Sequence, residues 1–266
     1  MEPFVTIFLF CLLIGAVVGF MAGLLGIGGG LIIVPILLHL LITELGLDLS
    51  HAMPMAIATS LFTIILTGFS ASRTHYKLGN VDWFITTWSG LGIALGAILG
   101  AQLASHISGE LLKSIFAFLV FGIACYMLFG KRKASNQEAS KSKLTGVGLF
   151  AGFLSSLMGI GGGSIMVPSL VWFNISIKKS IGCASVCGVV IAIFGSLSFV
   201  QAGWNNVHLP EFSFGYIYLP AAVGIVITSV LTAGIGARVS QKLDTSVLKK
   251  VFAGFLTFVS LVMLFG

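Results

Sequence analysis

Two glycine-rich motifs contain the residues whose types and spacing could bind a ligand. Residues 26–35 read GIGGGLIIVP, and residues 159–168 read GIGGGSIMVP. Consecutive glycines interrupt a helix, and the first amides of the helix that follows have no intrahelical acceptor. These amides lie at the positive end of the helix dipole, where an anion binds favourably. The predicted substrate-binding glycines are Gly28, Gly29, Gly30, Gly161, Gly162 and Gly163.

The first glycine and the proline of each motif are predicted to break the helices there. These predicted structural breaks are Gly26, Pro35, Gly159 and Pro168. The competing interpretation of the motifs is close packing, because small residues let membrane helices approach one another. We interpret the four-residue spacing of Gly92, Gly96 and Gly100 in that way. A nucleotide-binding loop is excluded because the motifs lack a following Lys-Ser/Thr pair and a soluble βαβ context.

Hydroxyl groups near the motifs extend the predicted binding site. Ser60 and Ser185 lie at matching positions in the two halves of the chain, Thr59 precedes Ser60, and Ser164 follows the second glycine triplet. Each hydroxyl can donate to an oxyanion or bond back to its own helix. His39, in the apolar run after the first triplet, is a candidate for a proton-linked role because imidazole titrates near neutral pH. No histidine or carboxylate spacing fits a metal site, so we expect neither a metal nor a cofactor.

The composition places these residues in a membrane. Of the 266 residues, 57% are hydrophobic and 8% are charged, against about 25% charged residues in an ordinary soluble domain. This excludes a soluble enzyme, a disordered chain and a nucleic-acid-binding domain. Near-continuous apolar stretches predict an all-α polytopic membrane protein. The stretches offer no nucleophile with a nearby base, so we do not expect an enzyme.

An internal repeat divides the chain. Residues 19–37 and 152–170 are identical at 12 of 19 positions without gaps. We therefore predict a first transmembrane repeat at 1–130, a basic linker at 131–143 and a second transmembrane repeat at 144–266.

Each repeat is predicted to contain a glycine-broken helix pair followed by three spanning helices. The predicted segments of the first repeat are 4–25, 31–43, 54–72, 82–104 and 111–130. Those of the second repeat are 144–158, 164–176, 180–203, 214–237 and 247–266.

Charge placement predicts how the repeats are oriented. If each broken pair returns to its starting side, 13 of the 14 basic residues lie on one side of the membrane and only Lys113 lies on the other. The positive-inside rule favours this arrangement and places the linker in the cytoplasm and both termini outside. Each half then crosses an odd number of times, so the two repeats have inverted topology.

The paired motifs, together with the ATSL run at Ala58–Leu61, resemble those of the TauE/SafE family of sulfite-exporter-like permeases. The resemblance covers nearly the whole chain. It implies transport of sulfite or organosulfonate anions across the bacterial inner membrane, mostly outward, along a path lined by the glycine turns and the hydroxyls near Ser60. The second half departs from the pattern at Ala184, where the first half has Thr59.

The leading functional hypothesis is a secondary transporter of small anions that works by alternating access. Inverted repeats with paired broken helices are a common plan of such carriers, and the breaks indicate the binding site. A passive anion channel and a structural subunit of a membrane complex are the alternatives. The expected partners are a small anionic substrate and the lipid bilayer, and no nucleic acid.

Overall fold

The computed structural model describes residues 3–26, 28–129 and 139–244, with residues 250, 254, 257, 258 and 261 beyond them. The described helices are α1 Pro3–Leu25, α2 Gly30–Leu45, α3 Leu49–Lys77, α4 Trp83–His106, α5 Gly109–Phe129, α6 Lys141–Leu157, α7 Gly163–Trp172, α8 Ile177–Gly203 and α9 Leu219–Lys242. The strands β1 Ser213–Phe214 and β2 Ile217–Tyr218 lie between α8 and α9. Most of the predicted linker and nearly all of the predicted span 247–266 lie outside the described residues.

The helices confirm a multi-pass membrane protein. Five of them, α1, α3, α4, α8 and α9, are long and apolar enough to cross a membrane. Helices α2 and α7 have 16 and 10 residues. At 1.5 Å per residue they span about 24 and 15 Å, short of a hydrocarbon core of about 30 Å. The short element after each glycine turn is therefore present at both predicted places.

The described residues are mostly helical, in agreement with the predicted helical class, and a small hairpin lies between α8 and α9. Strands β1 and β2 pair antiparallel, with Ser213 opposite Tyr218 and Phe214 opposite Ile217. Gly215 turns between them with φ of 55°, a conformation that costs little without a Cβ. Helix α9 therefore begins at Leu219 and not at the predicted residue 214.

The two motif prolines do not break their helices, so this part of the prediction is wrong. Pro35 lies inside α2 and Pro168 lies inside α7. A proline removes one hydrogen bond, to the carbonyl four residues earlier. Both helices continue through this local defect, and Pro168 is buried in the packing around α7.

Glycine contacts pair α4 with α6 and α1 with α9. A Cβ on Gly96 would lie 2.1 Å from the Leu149 carbonyl oxygen, so only glycine allows this approach. Gly92 contacts Thr145 and Gly100 contacts Phe153, so the residue numbers of both partners increase in the same direction. Helices α4 and α6 therefore run parallel. This confirms the packing interpretation of the glycines in α4.

Helix α1 packs on α9 in the same way. Gly15 contacts Ile225, and Gly23 contacts Ala233. The contacts advance together along both helices, so α1 and α9 also run parallel.

Helices α3 and α8 form the centre of the bundle and run antiparallel. Gly195 lies against Leu61, whereas Gly68 lies against Val189. Both helices are largely buried.

Polar contacts bring one set of helix ends together. The Asn80 side-chain amide donates to the Gln241 side-chain oxygen at 3.0 Å, and the Lys178 ammonium donates to the Gln241 carbonyl at 2.8 Å. The end of α3, the start of α8 and the end of α9 therefore lie together, and we call this the basic end. Its other basic residues include Arg73, Lys77, Lys179, Arg238 and Lys242.

The opposite end contains the start of α1, the start of α3 and the loop between α8 and α9. The rings of Phe4 and Phe212 lie 5.6 Å apart, and those of His51 and His208 lie 5.8 Å apart. There Asp48 caps α3 by accepting from the His51 backbone N–H at 3.2 Å. Hydrogen bonds from the side chains of His51 and Ser50 hold the pKa of the Asp48 carboxyl below its usual value.

Candidate functional site

The two glycine turns meet in the interior of the bundle. A Cβ on Gly28 would lie 3.0 Å from the Gly161 Cα, and a Cβ on Gly30 would lie 2.0 Å from the Gly159 carbonyl oxygen. The two backbones therefore touch across a sequence separation of more than 120 residues. We call this contact the glycine junction and define it as residues 26, 28–30 and 159–163.

Local backbone geometry explains why glycines occupy these positions. Helix α1 ends at Leu25 and helix α6 at Leu157, just before each motif. The residues preceding α2 and α7, Gly29 and Gly162, have φ of 88° and 75°. This left-handed conformation is unfavourable for residues that carry a Cβ. The triplets therefore reverse the chain and start a new helix at the junction.

Each half contributes one serine to the glycine turn of the other half. The Ser60 hydroxyl on α3 donates to the Gly159 carbonyl at 2.8 Å. Ser185 on α8 lies against Gly26, with its hydroxyl 3.2 Å from where a Cβ on Gly26 would stand. The Ser185 hydroxyl itself donates to the Ile181 carbonyl of its own helix at 2.9 Å. The structure thus brings both predicted serines to the junction, where Ser60 bonds across it.

The second turn differs from the first in the hydroxyls beside it. Ser155 and Ser164 are fully buried, and their hydroxyls have no hydrogen-bond partner among the described residues. The Ser155 hydroxyl lies 3.9 Å from where a Cβ on Gly162 would stand. The first turn has Ala22 and Leu31 at the matching positions. A buried hydroxyl without a partner is costly, and this asymmetry distinguishes the second turn chemically.

The start of α7 offers further donors beside these hydroxyls. The backbone N–H groups of Gly163 and Ser164 find no acceptor among the described residues. Ser164 also contributes to the wall of a cavity of about 360 Å³ between α5, α6 and α7. The other residues lining that cavity are mainly apolar, among them Phe118, Phe150 and Trp172. Amide and hydroxyl donors therefore converge at one helix N-terminus.

Two predicted site residues lie away from the junction. The Thr59 hydroxyl accepts from the Tyr218 backbone N–H at 2.9 Å, so it ties α3 to β2. His39 is exposed on α2 and does not face the buried junction. Its proton-linked role stays a prediction, without support from its position.

One buried histidine is not among the residues predicted from the sequence. His75 follows the predicted segment 54–72, and its side chain is completely buried near the end of α3. Its Nε2 lies 3.0 Å from the Gly23 carbonyl at the end of α1. The carbonyl can only accept, so Nε2 carries the hydrogen. The signal available in the sequence was the register of α3, which places His75 on the same face as the buried Ser72 and Ala71.

Charge is absent from the junction, which consists of glycines and Ile160. Within the described part of the chain, no group of three histidine, cysteine or acidic residues is placed to hold a metal. The junction therefore offers amide and hydroxyl donors, which suit oxyanions, together with backbone carbonyls such as that of Gly159, which accept hydrogen bonds.

Comparison with known proteins gives the class of this protein. The profile of the family described as Sulfite exporter TauE/SafE matches residues 11–263. A protein of Haemophilus influenzae named "Probable membrane transporter protein" is 42% identical over 96% of this chain and 97% of its own length. A similarly named protein of Methanocaldococcus jannaschii is 26% identical over 95% of this chain and 94% of its own length. No solved structure matches the chain significantly.

A helical bundle with broken helices, and relatives named as transporters, define a membrane transporter. The chain belongs to the TauE/SafE family. This confirms the resemblance seen in the paired glycine motifs.

Proposed function

We propose that this transporter exports small sulfur oxyanions, of the sulfite and organosulfonate type, by alternating access around the glycine junction. The observation that carries the proposal is the contact between the two glycine turns, Gly28 against Gly161, inside the bundle. Broken helices that meet in this way are how many secondary transporters build a substrate site.

The donors at the junction support an anion as the substrate. Helices α2 and α7 both begin there, and a helix N-terminus attracts negative charge. The unpaired hydroxyls of Ser155 and Ser164 add donors on one side. The family is one of sulfite exporters, and the oxygens of sulfite are strong hydrogen-bond acceptors. Export is the proposed direction for the same reason.

Helix directions support two inverted repeats, at 1–130 and 144–266. In the proposed repeats, α1 corresponds to α6 and α4 corresponds to α9. The pair α1–α9 is therefore equivalent to the pair α6–α4, and the helices of each pair run parallel. The matching helices α3 and α8 run antiparallel. An antiparallel arrangement of equivalent helices is what an inverted pair requires.

The closed contact at the junction supports a movement. The turns touch through their backbones, so an anion can enter between them only when they separate. Separation would release the Ser60 hydroxyl from the Gly159 carbonyl. That hydroxyl would then be free to donate to the substrate, as Ser164 and Ser155 already are.

Orientation follows from the basic end. The positive-inside rule places that end, with linker 131–143, in the cytoplasm of a bacterial cell and both termini outside the inner membrane. The α1–turn–α2 pair starts and finishes at the opposite end of the bundle.

Transport in proteoliposomes tests the proposal. Purified protein is expected to carry labelled sulfite or a small sulfonate with saturable kinetics. Ser164→Ala and Ser60→Ala should each raise the half-saturating substrate concentration about 10-fold or more, because a hydrogen bond to a charged group contributes about 1.5–3 kcal/mol.

Ser198→Ala is the matched control. Its hydroxyl donates to the Phe194 carbonyl of its own helix at 2.9 Å, so transport should stay near the wild-type value. Wild-type kinetics in both the Ser60→Ala and the Ser164→Ala variants would show that the site lies elsewhere. Unsaturable flux with single-channel conductance would identify a passive channel, and no flux of any small anion would contradict the transport proposal.

A further inference from the structure

A groove opens on the outer face of the bundle near the basic end. It lies between α3 and α9 and has a volume of about 690 Å³. Leu66 and Phe69 of α3 and Ile227 and Val230 of α9 contribute apolar walls. Phe69 is 62% exposed and Ile227 is 47% exposed. These side chains lie on helices long and apolar enough to cross a membrane, so lipid chains are their expected surroundings.

Three cationic side chains also line this groove. They are Arg73 and Lys77 on α3 and Arg238 on α9. Among the described residues, none of the three forms an ion pair with a carboxylate, since the one close pair joins His51 and Asp48 at the other end. Three cations beside apolar walls are complementary to an anionic partner with an apolar body.

We propose that this groove binds an anionic phospholipid from the leaflet at the basic end. The lipid phosphate contacts Arg73, Lys77 and Arg238, and an acyl chain lies along Leu66 and Phe69. Guanidinium groups suit phosphate because they donate two parallel hydrogen bonds. Cations close to a membrane helix end attract anionic headgroups.

The position gives the lipid a structural consequence. Between α3 and α9, the Thr67 and Ser229 hydroxyls lie 2.6 Å apart, and the Ser70 hydroxyl donates to the Val230 carbonyl at 2.8 Å. A lipid phosphate held by Arg73 and Arg238 adds a bridge between the same two helices. Helix α3 also carries Ser60 to the junction, so the bound lipid stabilises the helix pair behind that serine.

Lipid binding to the purified full-length protein tests the proposal. Native mass spectrometry is used to titrate phosphatidylglycerol and phosphatidylcholine of equal chain length against the protein in detergent. Phosphatidylglycerol is expected to bind at least 10-fold more tightly. The double variant Arg73→Gln, Arg238→Gln should lose that preference, and Phe69→Ala should weaken binding of both lipids.

Lys179→Gln is the matched control, because Lys179 is an exposed basic-end lysine outside the groove. It should keep the wild-type preference. Equal binding of the two lipids by the wild type, or an unchanged preference in the double variant, would overturn the proposal. In a final measurement, inorganic phosphate is added as a competitor at the same concentration as the lipid. Displacement of the lipid would identify a site for soluble anions and overturn the lipid assignment.

Discussion

His75 shows how one buried side chain satisfies a broken helix. The Gly23 carbonyl belongs to the last turn of α1, where carbonyls have no intrahelical donor. His75 Nε2 supplies one at 3.0 Å from the neighbouring helix. On the far side of the ring, the Asn80 side chain lies 3.5 Å from Nδ1. A break inside the bundle is tolerated because its polar groups are paired by protein.

Removing this donor should destabilise the protein. His75→Ala leaves the buried Gly23 carbonyl without its partner, which costs about 1–3 kcal/mol. A lower thermal midpoint in detergent is expected. His75→Gln keeps a side-chain donor and should recover part of the loss. If alanine and glutamine give the same midpoint as wild type, the hydrogen bond to Gly23 contributes nothing to stability.

Helices α4 and α6 depend on glycines for their close approach. The backbone of α6 passes Gly92, Gly96 and Gly100 at distances that leave no room for a Cβ. In a membrane, burying apolar side chains between helices gains little, because lipid chains are equally apolar. Close backbone contact increases the van der Waals packing that drives the helices together instead. The same helix has a glycine on another face, Gly90, with nothing within 4 Å of an added Cβ.

This difference gives a matched pair of substitutions. Gly96→Ala places a Cβ 2.1 Å from the Leu149 carbonyl, so α4 and α6 must separate. The expected cost is about 1–3 kcal/mol. Gly90→Ala should stabilise α4 by about 0.5–1 kcal/mol, because alanine favours helix over glycine. Thermal unfolding in detergent measures both, and equal shifts in the two variants would contradict the contact.

The whole molecule has two distinct ends. Contacts at Gln241 gather α3, α8 and α9 at the basic end, whereas Phe4 and Phe212 meet at the other. The broken pair α1–α2 returns to the end at which it started. In the sequence, the segment 131–143 contains five further basic residues. The positive-inside rule predicts that the basic end faces the cytoplasm.

Reporter fusions measure the orientation. A fusion after Ser135 should give a cytoplasmic signal, and a fusion after Gly266 should give an external one. This result is expected because the proposed second half, which lies between these two positions, crosses the membrane an odd number of times. A fusion at Asn205, between α8 and α9, should also be external and serves as an internal check. Both Ser135 and Gly266 on the same side would contradict inverted repeats.

The sequence by itself determined the membrane environment, the positions of the two breaks and the family. These depend on local properties: apolar length, consecutive glycines and a repeated motif. The prediction that Pro35 and Pro168 break their helices is wrong, because the continuity of a helix through a proline depends on the packing around it.

Only the tertiary structure decided which of the predicted groups meet. The Ser60 hydroxyl and the Gly159 carbonyl are 99 residues apart in sequence and 2.8 Å apart in space. The unpaired Ser164 hydroxyl and the buried His75 imidazole likewise depend on neighbours from other helices. Whether a side chain is paired or free is a property of its surroundings, and helix packing alone sets those.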